Sequence, residues 1–445
     1  MSWKEVSPGR FERPLDDAEK LILVVGPNLA NREYLYLNAA ARLTVNLPPE
    51  EIASALREAW KITRHDYPFI ATWRSGDTIV YETPDPVALD AWLSKTFVIT
   101  TEHATASDLI ANLHPDPLAT LYYLPHTSEI VLRCAHWRID GVGLMYCLDR
   151  ILQALAEPRE VQFGNEHVRL SPSLEKAFPA SVVTTPETER TAEAQFRELK
   201  MNGPSLGLEY LPATVPKGTR RVELRFSEQD TKAILAACKA RGFGITAAAH
   251  AAMVVATHEF ASPSTRGRPH TQIAPMNLRP YLAAPFNTPD RGLAHYTMIP
   301  PVTLQPADFT TYVTKLHEFY RRDRTPAKSP VLSAQAGFAR RMVAAAALPR
   351  PAGQPLPSEP ILDSLGILDQ RIRPHYGQRV SVENVIFVPE LLTPEVFVFL
   401  YTFRGQLQLS AAFNEAYYHA EFMQRVLERI KAVLLKELGL QKAAL

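Results

Sequence analysis

LRCAHWRIDGVGLMY, residues 132–146, is the stretch on which the reading of this chain turns. Ile130, Leu132 and Cys134 alternate with Val131, Arg133 and Ala135, the period-2 pattern of a β-strand. Leu144, Leu148, Ile151 and Leu155 then recur at helical spacing, which predicts an amphipathic helix from about Val142. His136 thus falls where a strand ends, a few residues before a helix begins, a junction that can hold an imidazole rigidly at the edge of a cleft. A histidine there can take a proton from a hydroxyl and return it later. Of the 13 histidines, only His136 has an aspartate four residues on, Asp140, and Gly141 follows it. About 0.5 chance matches to H-x-x-x-D are expected at this composition, and about 0.02 with the glycine, so the glycine and the setting carry the reading. Asp140 alone would be an ordinary helix N-cap, and His136 alone an ordinary half-buried histidine.

Working outward, 445 residues exceed what one core holds and predict two domains or three. A hydrophobic fraction of 46% with 21% charged residues is that of a soluble globular protein. A net charge of +1 supplies no field for nucleic acid. Three unevenly spaced cysteines (Cys134, Cys147, Cys238) make neither a disulfide framework nor a zinc pattern and fit a reducing compartment. The first 20 residues are charged, with Lys4, Glu5, Arg10, Glu12, Arg13, Asp16 and Asp17, so no signal peptide is expected. No apolar run is long enough to cross a bilayer, and the last residues are not a peroxisomal address. A cytoplasmic monomer is the expectation.

In chain order, residues 1–20 read as an irregular arm. Residues 49–64 are a helix with an acidic first turn and a basic last turn. Residues 69–73 and 78–81 read as a hairpin, and 118–124 and 129–137 as further strands, the second delivering His136. Seven prolines punctuate residues 157–218, with one helical run near 187–201. Beyond lie strands at 219–226, 271–275, 296–303, 379–387, 395–402 and 406–413, and helices through 227–240, 245–260, 306–322 and 420–438. The pattern predicts an α/β protein: residues 1–170 as an N-terminal lobe carrying the motif, 171–218 as a Pro-rich crossing segment, and 219–445 as a C-terminal lobe.

HWRIDG at 136–141 resembles the H-x-x-x-D-G motif of the CoA-dependent acyltransferase superfamily, which includes chloramphenicol acetyltransferase, the BAHD enzymes, peptide-synthetase condensation domains and fungal trichothecene-type O-acetyltransferases. ITAAAHAAMVVA (245–256) resembles the family's small-residue helix, MNLRPYL (276–282) its "nlRpyl" segment, DSLGILD (363–369) its S-N-L-G segment, and AAFNEAYYHAEFMQRVL (411–427) the closing strand and helix of the fungal branch. Together these span most of the chain in the right order. Three departures stand out. Ala135 replaces the second histidine of condensation domains, which argues against peptide-bond synthesis; no D-F-G-W-G motif of plant BAHD enzymes occurs; and Asp363 and Ser364 stand where Ser and Asn are common.

The resemblance implies two chloramphenicol-acetyltransferase-like lobes, each a mixed sheet flanked by helices, with an active-site tunnel between them. It implies His136 as general base on an acceptor hydroxyl and Asp140 turned away to pair with an arginine, for which Arg279 is the expected partner. Gly141 would permit a tight turn, and Ser364 and Gly366 would supply an oxyanion or tunnel contact, with Trp137 and His295 near the tunnel. A loop histidine is the plainer reading of His295, and a satisfied core histidine that of His250. The cluster Arg321, Arg322 and Arg324, interrupted by Asp323, reads as a solvated helix end, with contact to CoA phosphates the alternative.

No G-x-S-x-G elbow, phosphate loop or metal-ligand spacing occurs, so an acyl-enzyme, nucleotide or metal route is not expected. Three functions remain open. The first is O-acyl transfer from acyl-CoA as co-substrate, or from an acyl carrier protein thioester, to a hydroxyl of a secondary metabolite, with no bound cofactor. The second is a cyclisation or rearrangement on the same fold, and the third non-catalytic capture of a metabolite or carrier.

Overall fold

A computed structural model describes residues 2–25, 28–201, 204–322, 324, 329–348 and 355–440. Its strands form two principal mixed sheets, each the floor of one lobe. The first runs in the order His375–Tyr376, Val380–Pro389, Leu37–Val45, Glu129–Cys134, Thr120–Leu124, Phe97–Ile99. All its pairs are antiparallel except the last. Glu129–Cys134 lies inside this sheet, between Leu37–Val45 and Thr120–Leu124, and all six of its residues are buried. Its alternation therefore separates two covered faces rather than core from solvent. Helices Pro49–Asp66 and Gly141–Ala156 pack against one another and close one face of this lobe.

The second sheet runs Thr219–Arg225, Gln406–Asn414, Val396–Phe403, Pro360–Ile367, with the last two strands parallel. Helix Ile245–Glu259 packs beneath it, flanked by Phe309–Arg321 and Ala420–Glu437. Ten of the fifteen residues of Ile245–Glu259 are buried, and alanine predominates because small side chains let neighbouring helices approach closely. Each sheet has its own large apolar cluster, so the chain is built of two α/β lobes.

Several details differ from the expectations. His375–Tyr376 and Val380–Pro389 lie beyond position 219, yet they join the first sheet, Val380–Pro389 by pairing with Leu37–Val45, so the chain returns to the N-terminal lobe before completing the second. The expected irregular arm is regular structure from residue 4 on. Lys4–Ser7 and Arg10–Pro14 form a hairpin about Gly9 (φ 75°) and extend the pair Trp73–Ser75 and Thr78–Glu82 into a third sheet. Helix Asp17–Val24 follows, held by a reciprocal cap between Asp16 and Glu19. Residues 68–71 are a 3-10 turn rather than a strand. Two elements carried no clear sequence signal: helix Gln335–Ala346, and strand Pro360–Ile367, whose period is broken by Asp363, Ser364 and Gly366. The helix is fixed by ion pairs from Arg340 and Arg341 to Asp17, Glu189 and Glu193.

Candidate active site

Strand Glu129–Cys134 ends two residues before His136, which sits in the turn leading to helix Gly141–Ala156. The His136 ring is half-buried, and its Nδ1 lies 2.9 Å from the carbonyl oxygen of Ile139. A carbonyl only accepts, so Nδ1 carries the proton and the lone pair is on Nε2. Burial lowers the His136 pKa below the ordinary histidine value, with the charge of Asp140 opposing it, so the ring is neutral at neutral pH.

The ring lines a cavity of about 940 Å³ between the lobes. Met145 and Asn38 reach it from the first lobe, Thr271, Asp363 and Phe399 from the second. A smaller chamber of about 320 Å³ shares Ile22, His295, Thr297 and Ile299 with it, so the two spaces meet beside His295. His136 lines the larger of the two spaces, and His295 lines both.

Asp140 is walled in. It caps helix Gly141–Ala156 through the Gly143 amide at 2.7 Å. Arg279 grips it with two bonds of 2.9 Å, and the Tyr296 amide and Thr297 hydroxyl add 2.8 Å and 2.9 Å. The remaining Arg279 donors go to the carbonyls of Gly292 and Ala294 and to Asn277 Oδ1. Burial would raise the Asp140 pKa, but Arg279 overcomes it and holds the carboxylate at about 2. This carboxylate is not part of the cavity lining and ties the 136–140 loop to the segment 277–297.

His295 is a cavity residue, not a plain loop histidine. Its ring centroid stands 5.1 Å from that of His136, it is 6% exposed, and among the described residues its Nδ1 has no hydrogen-bond partner. Burial first, and then the neighbouring His136, push its pKa down to about 3, so it too is neutral. Ser364 lines the cavity and its Oγ lies 2.9 Å from Thr246 Oγ1 on helix Ile245–Glu259.

Four expected roles are corrected. Gly141 is the first residue of the helix, its φ is not positive, and a Cβ there would meet nothing within 4 Å, so no tight turn requires it. Gly143 is the crowded glycine: its Cβ would come within 2.7 Å of Ile139 Cγ1 and 3.2 Å of an Arg279 terminal nitrogen. Trp137 turns into the first core, stacked under the Arg138 guanidinium at 4.5 Å, and does not reach the cavity. Gly366 sits at φ 73° in a strand bulge outside the cavity lining. Arg324 is buried and donates to the carbonyls of Phe319 and Arg322, closing the end of its helix rather than solvating it, while Asp323 lies outside the described residues. His250 is a core histidine bonded to the Tyr320 hydroxyl.

Sequence reasoning missed Gly143, Thr297 and the cavity position of Asp363. A glycine three residues after an N-cap aspartate was the one available signal; the other two depend on distant segments meeting.

No family model matches the chain. The acetyltransferase pigO of Monascus ruber is 33% identical over 457 residues, spanning 99% of both chains. The chain belongs to the CoA-dependent acyltransferase superfamily. This acyltransferase also matches the solved structure of the TRI3 trichothecene 15-O-acetyltransferase from Fusarium sporotrichioides, with a TM-score of 0.83 at 18% identity over 99% of this chain and 97% of that one. The EpoB NRPS cyclization-docking bidomain from Sorangium cellulosum matches with a TM-score of 0.62 at 13% identity, over 96% of this chain and 84% of that one. The two lobes of the acyltransferase are therefore chloramphenicol-acetyltransferase-like. Among the described residues no helix is long and apolar enough to cross a membrane.

Proposed function

We propose that the protein transfers an acyl group from a thioester, acyl-CoA or an acyl carrier protein thioester, to a hydroxyl of a secondary metabolite, with His136 as general base. The observation that carries this reading is the fixed tautomer of His136: Nδ1 is engaged by the Ile139 carbonyl, which leaves a basic Nε2 beside a cavity open to both lobes. The neutral ring accepts the acceptor's proton as its oxygen attacks the thioester carbonyl in a ternary complex. The tetrahedral oxyanion then collapses, and the departing thiolate takes that proton back from Nε2. The oxyanion requires a hydrogen-bond donor from the second lobe, and Ser364 with nearby backbone amides is the assignment made from sequence. Asp140 and Arg279 touch no substrate in this scheme; they hold the loop that aims the ring.

Relatives support the chemistry: pigO carries the name of an acetyltransferase, and the TRI3 enzyme shares the fold. The test is incubation of the protein with a panel of acyl-CoAs and candidate acceptor alcohols, followed by mass spectrometry for the ester and assay of free CoA. His136→Ala is expected to lower turnover at least 100-fold, the low end for loss of a positioned base. Wild-type turnover by that variant refutes the general-base assignment. A product equal in mass to the acceptor would replace acyl transfer by a rearrangement.

A further inference from the structure

Strand Pro360–Ile367 forms the cavity wall contributed by the second lobe, and its side chains alternate between two surroundings. Leu362 belongs to the second lobe's core, and Ser364 points the same way, its hydroxyl engaged by Thr246. Ile361, Asp363 and Leu365 take the other face; Ile361 and Leu365 pack with the first lobe's cluster, and all three line the cavity. Asp363 therefore shares the cavity with His136, and of the two polar side chains it is the Ser364 hydroxyl that is already engaged, by Thr246. Among the described residues no lysine, arginine or hydrogen-bond donor reaches the Asp363 carboxyl, which is not how an ionised carboxylate is housed.

We propose that Asp363 acts as a carboxylic acid whose O–H points into the cavity and hydrogen-bonds the carbonyl oxygen of the acyl group as negative charge develops on it. This rests on the acyl-transfer reading above and places Asp363, rather than Ser364, in contact with the reacting atoms. No proton is transferred: the acceptor oxygen forms its bond to the carbonyl carbon, the C=O electron pair moves to oxygen, and the Asp363 proton stabilises it until thiolate leaves. The surroundings keep that proton in place. Burial, and then the negative charge of Asp140, raise the Asp363 pKa to about 7. Of the other titratable groups, His136 and His295 line the same cavity and are neutral at that pH, and Tyr320 from helix Phe309–Arg321 has its own pKa raised by burial and then by Asp363. Arg371 lines the cavity too, but it donates to the Leu365 carbonyl. Glu359 and Glu395 line the cavity as well. An ionised Asp363 would repel the oxyanion, so the acid form is the active one.

The experiment compares wild type, Asp363→Asn and Asp363→Ala, with His136→Ala as control, using acetyl-CoA and the acceptor panel. Asn keeps shape and a donor but cannot ionise; Ala removes the donor. Wild-type kcat should decline as pH rises through about 7. Asp363→Asn should lose that decline while staying within about tenfold of wild type, and Asp363→Ala should drop kcat by about 10²–10³, the cost of one oxyanion donor, with KM nearly unchanged. A carbon-13 NMR titration of aspartate-labelled protein supplies a readout independent of substrate: one carboxyl resonance, absent from Asp363→Asn, should titrate near pH 7. Titration of that resonance in the ordinary carboxylate range, or an Asp363→Ala enzyme with wild-type kcat and pH profile, overturns the proposal. Active wild type with inactive His136→Ala beside such a result leaves acyl transfer standing; no ester from any acyl-CoA, with Asp363 still titrating near 7, would instead overturn the functional reading.

Discussion

Replacing Asp140 by Asn keeps the side chain's shape and removes its charge, leaving the Arg279 guanidinium buried with no anion. The two side chains are 1% and 2% exposed, so water cannot take over. Breaking such a pair from one side costs about 3–5 kcal/mol, because a lone charge is left in a low-dielectric interior. The depressed pKa of Asp140 points the same way. Asp140 is held at about 2 where 3.8 is ordinary, a gap that corresponds to about 2 kcal/mol. Because the folded pKa is depressed, this contribution is fully present above about pH 4 and disappears as pH falls toward 2. The assay is a double-mutant cycle read by denaturant unfolding: Asp140→Asn, Arg279→Met and the double variant, at pH 7 and at a series of pH values down to 3. Each single variant should lose several kcal/mol. The double variant should lose less than their sum, since it strands no charge, and the slope between pH 4 and 3 should shrink in every variant lacking Asp140. Turnover should fall along with stability, because His136 is tied to Ile139, next to Asp140. Additivity of the two single effects within about 0.5 kcal/mol would refute the argument that this pair holds the loop.

Two glycines should separate cleanly. Gly143→Ala forces a methyl against Ile139 and Arg279 and should cost about 1–3 kcal/mol by thermal melt, whereas Gly141→Ala should leave stability within about 0.5 kcal/mol and alter KM, since its side chain would stand in the cavity. Equal melting points for the two variants would contradict the crowding assigned to Gly143. The acid limb of kcat/KM should fall below pH 6.5, because the working form of His136 is neutral and burial lowers its pKa; a limb above 7 assigned to this histidine would be inconsistent with the site. His295→Phe should keep the melting point, having lost no hydrogen bond to Nδ1, but should raise KM by narrowing the junction of the two chambers; unchanged KM for every acyl-CoA and acceptor would remove His295 from the substrate path.

Much of this was legible along the chain because it is local. A period-2 run followed by a 3.6-period run places His136 between a strand and a helix whatever the rest does, and the N-cap preference of aspartate places Asp140 at that helix's first turn. The pairing of Asp140 with Arg279 was reached through the family's motifs and not through spacing, since 139 residues separate them. What tertiary structure alone decided are the meetings of distant segments. Residues 380–389 join the first sheet because their buried strand pairs with Leu37–Val45, a choice no local pattern encodes. His295 stands beside His136 because the segment that carries it is held down on Asp140 by the Tyr296 amide and the Thr297 hydroxyl. That Asp363 and Ser364 both reach the cavity, with only the Ser364 hydroxyl engaged by Thr246, depends on the register of a strand with an irregular pattern. Local periodicity settles which way a side chain leaves its own backbone; only packing between the lobes settles what it meets there.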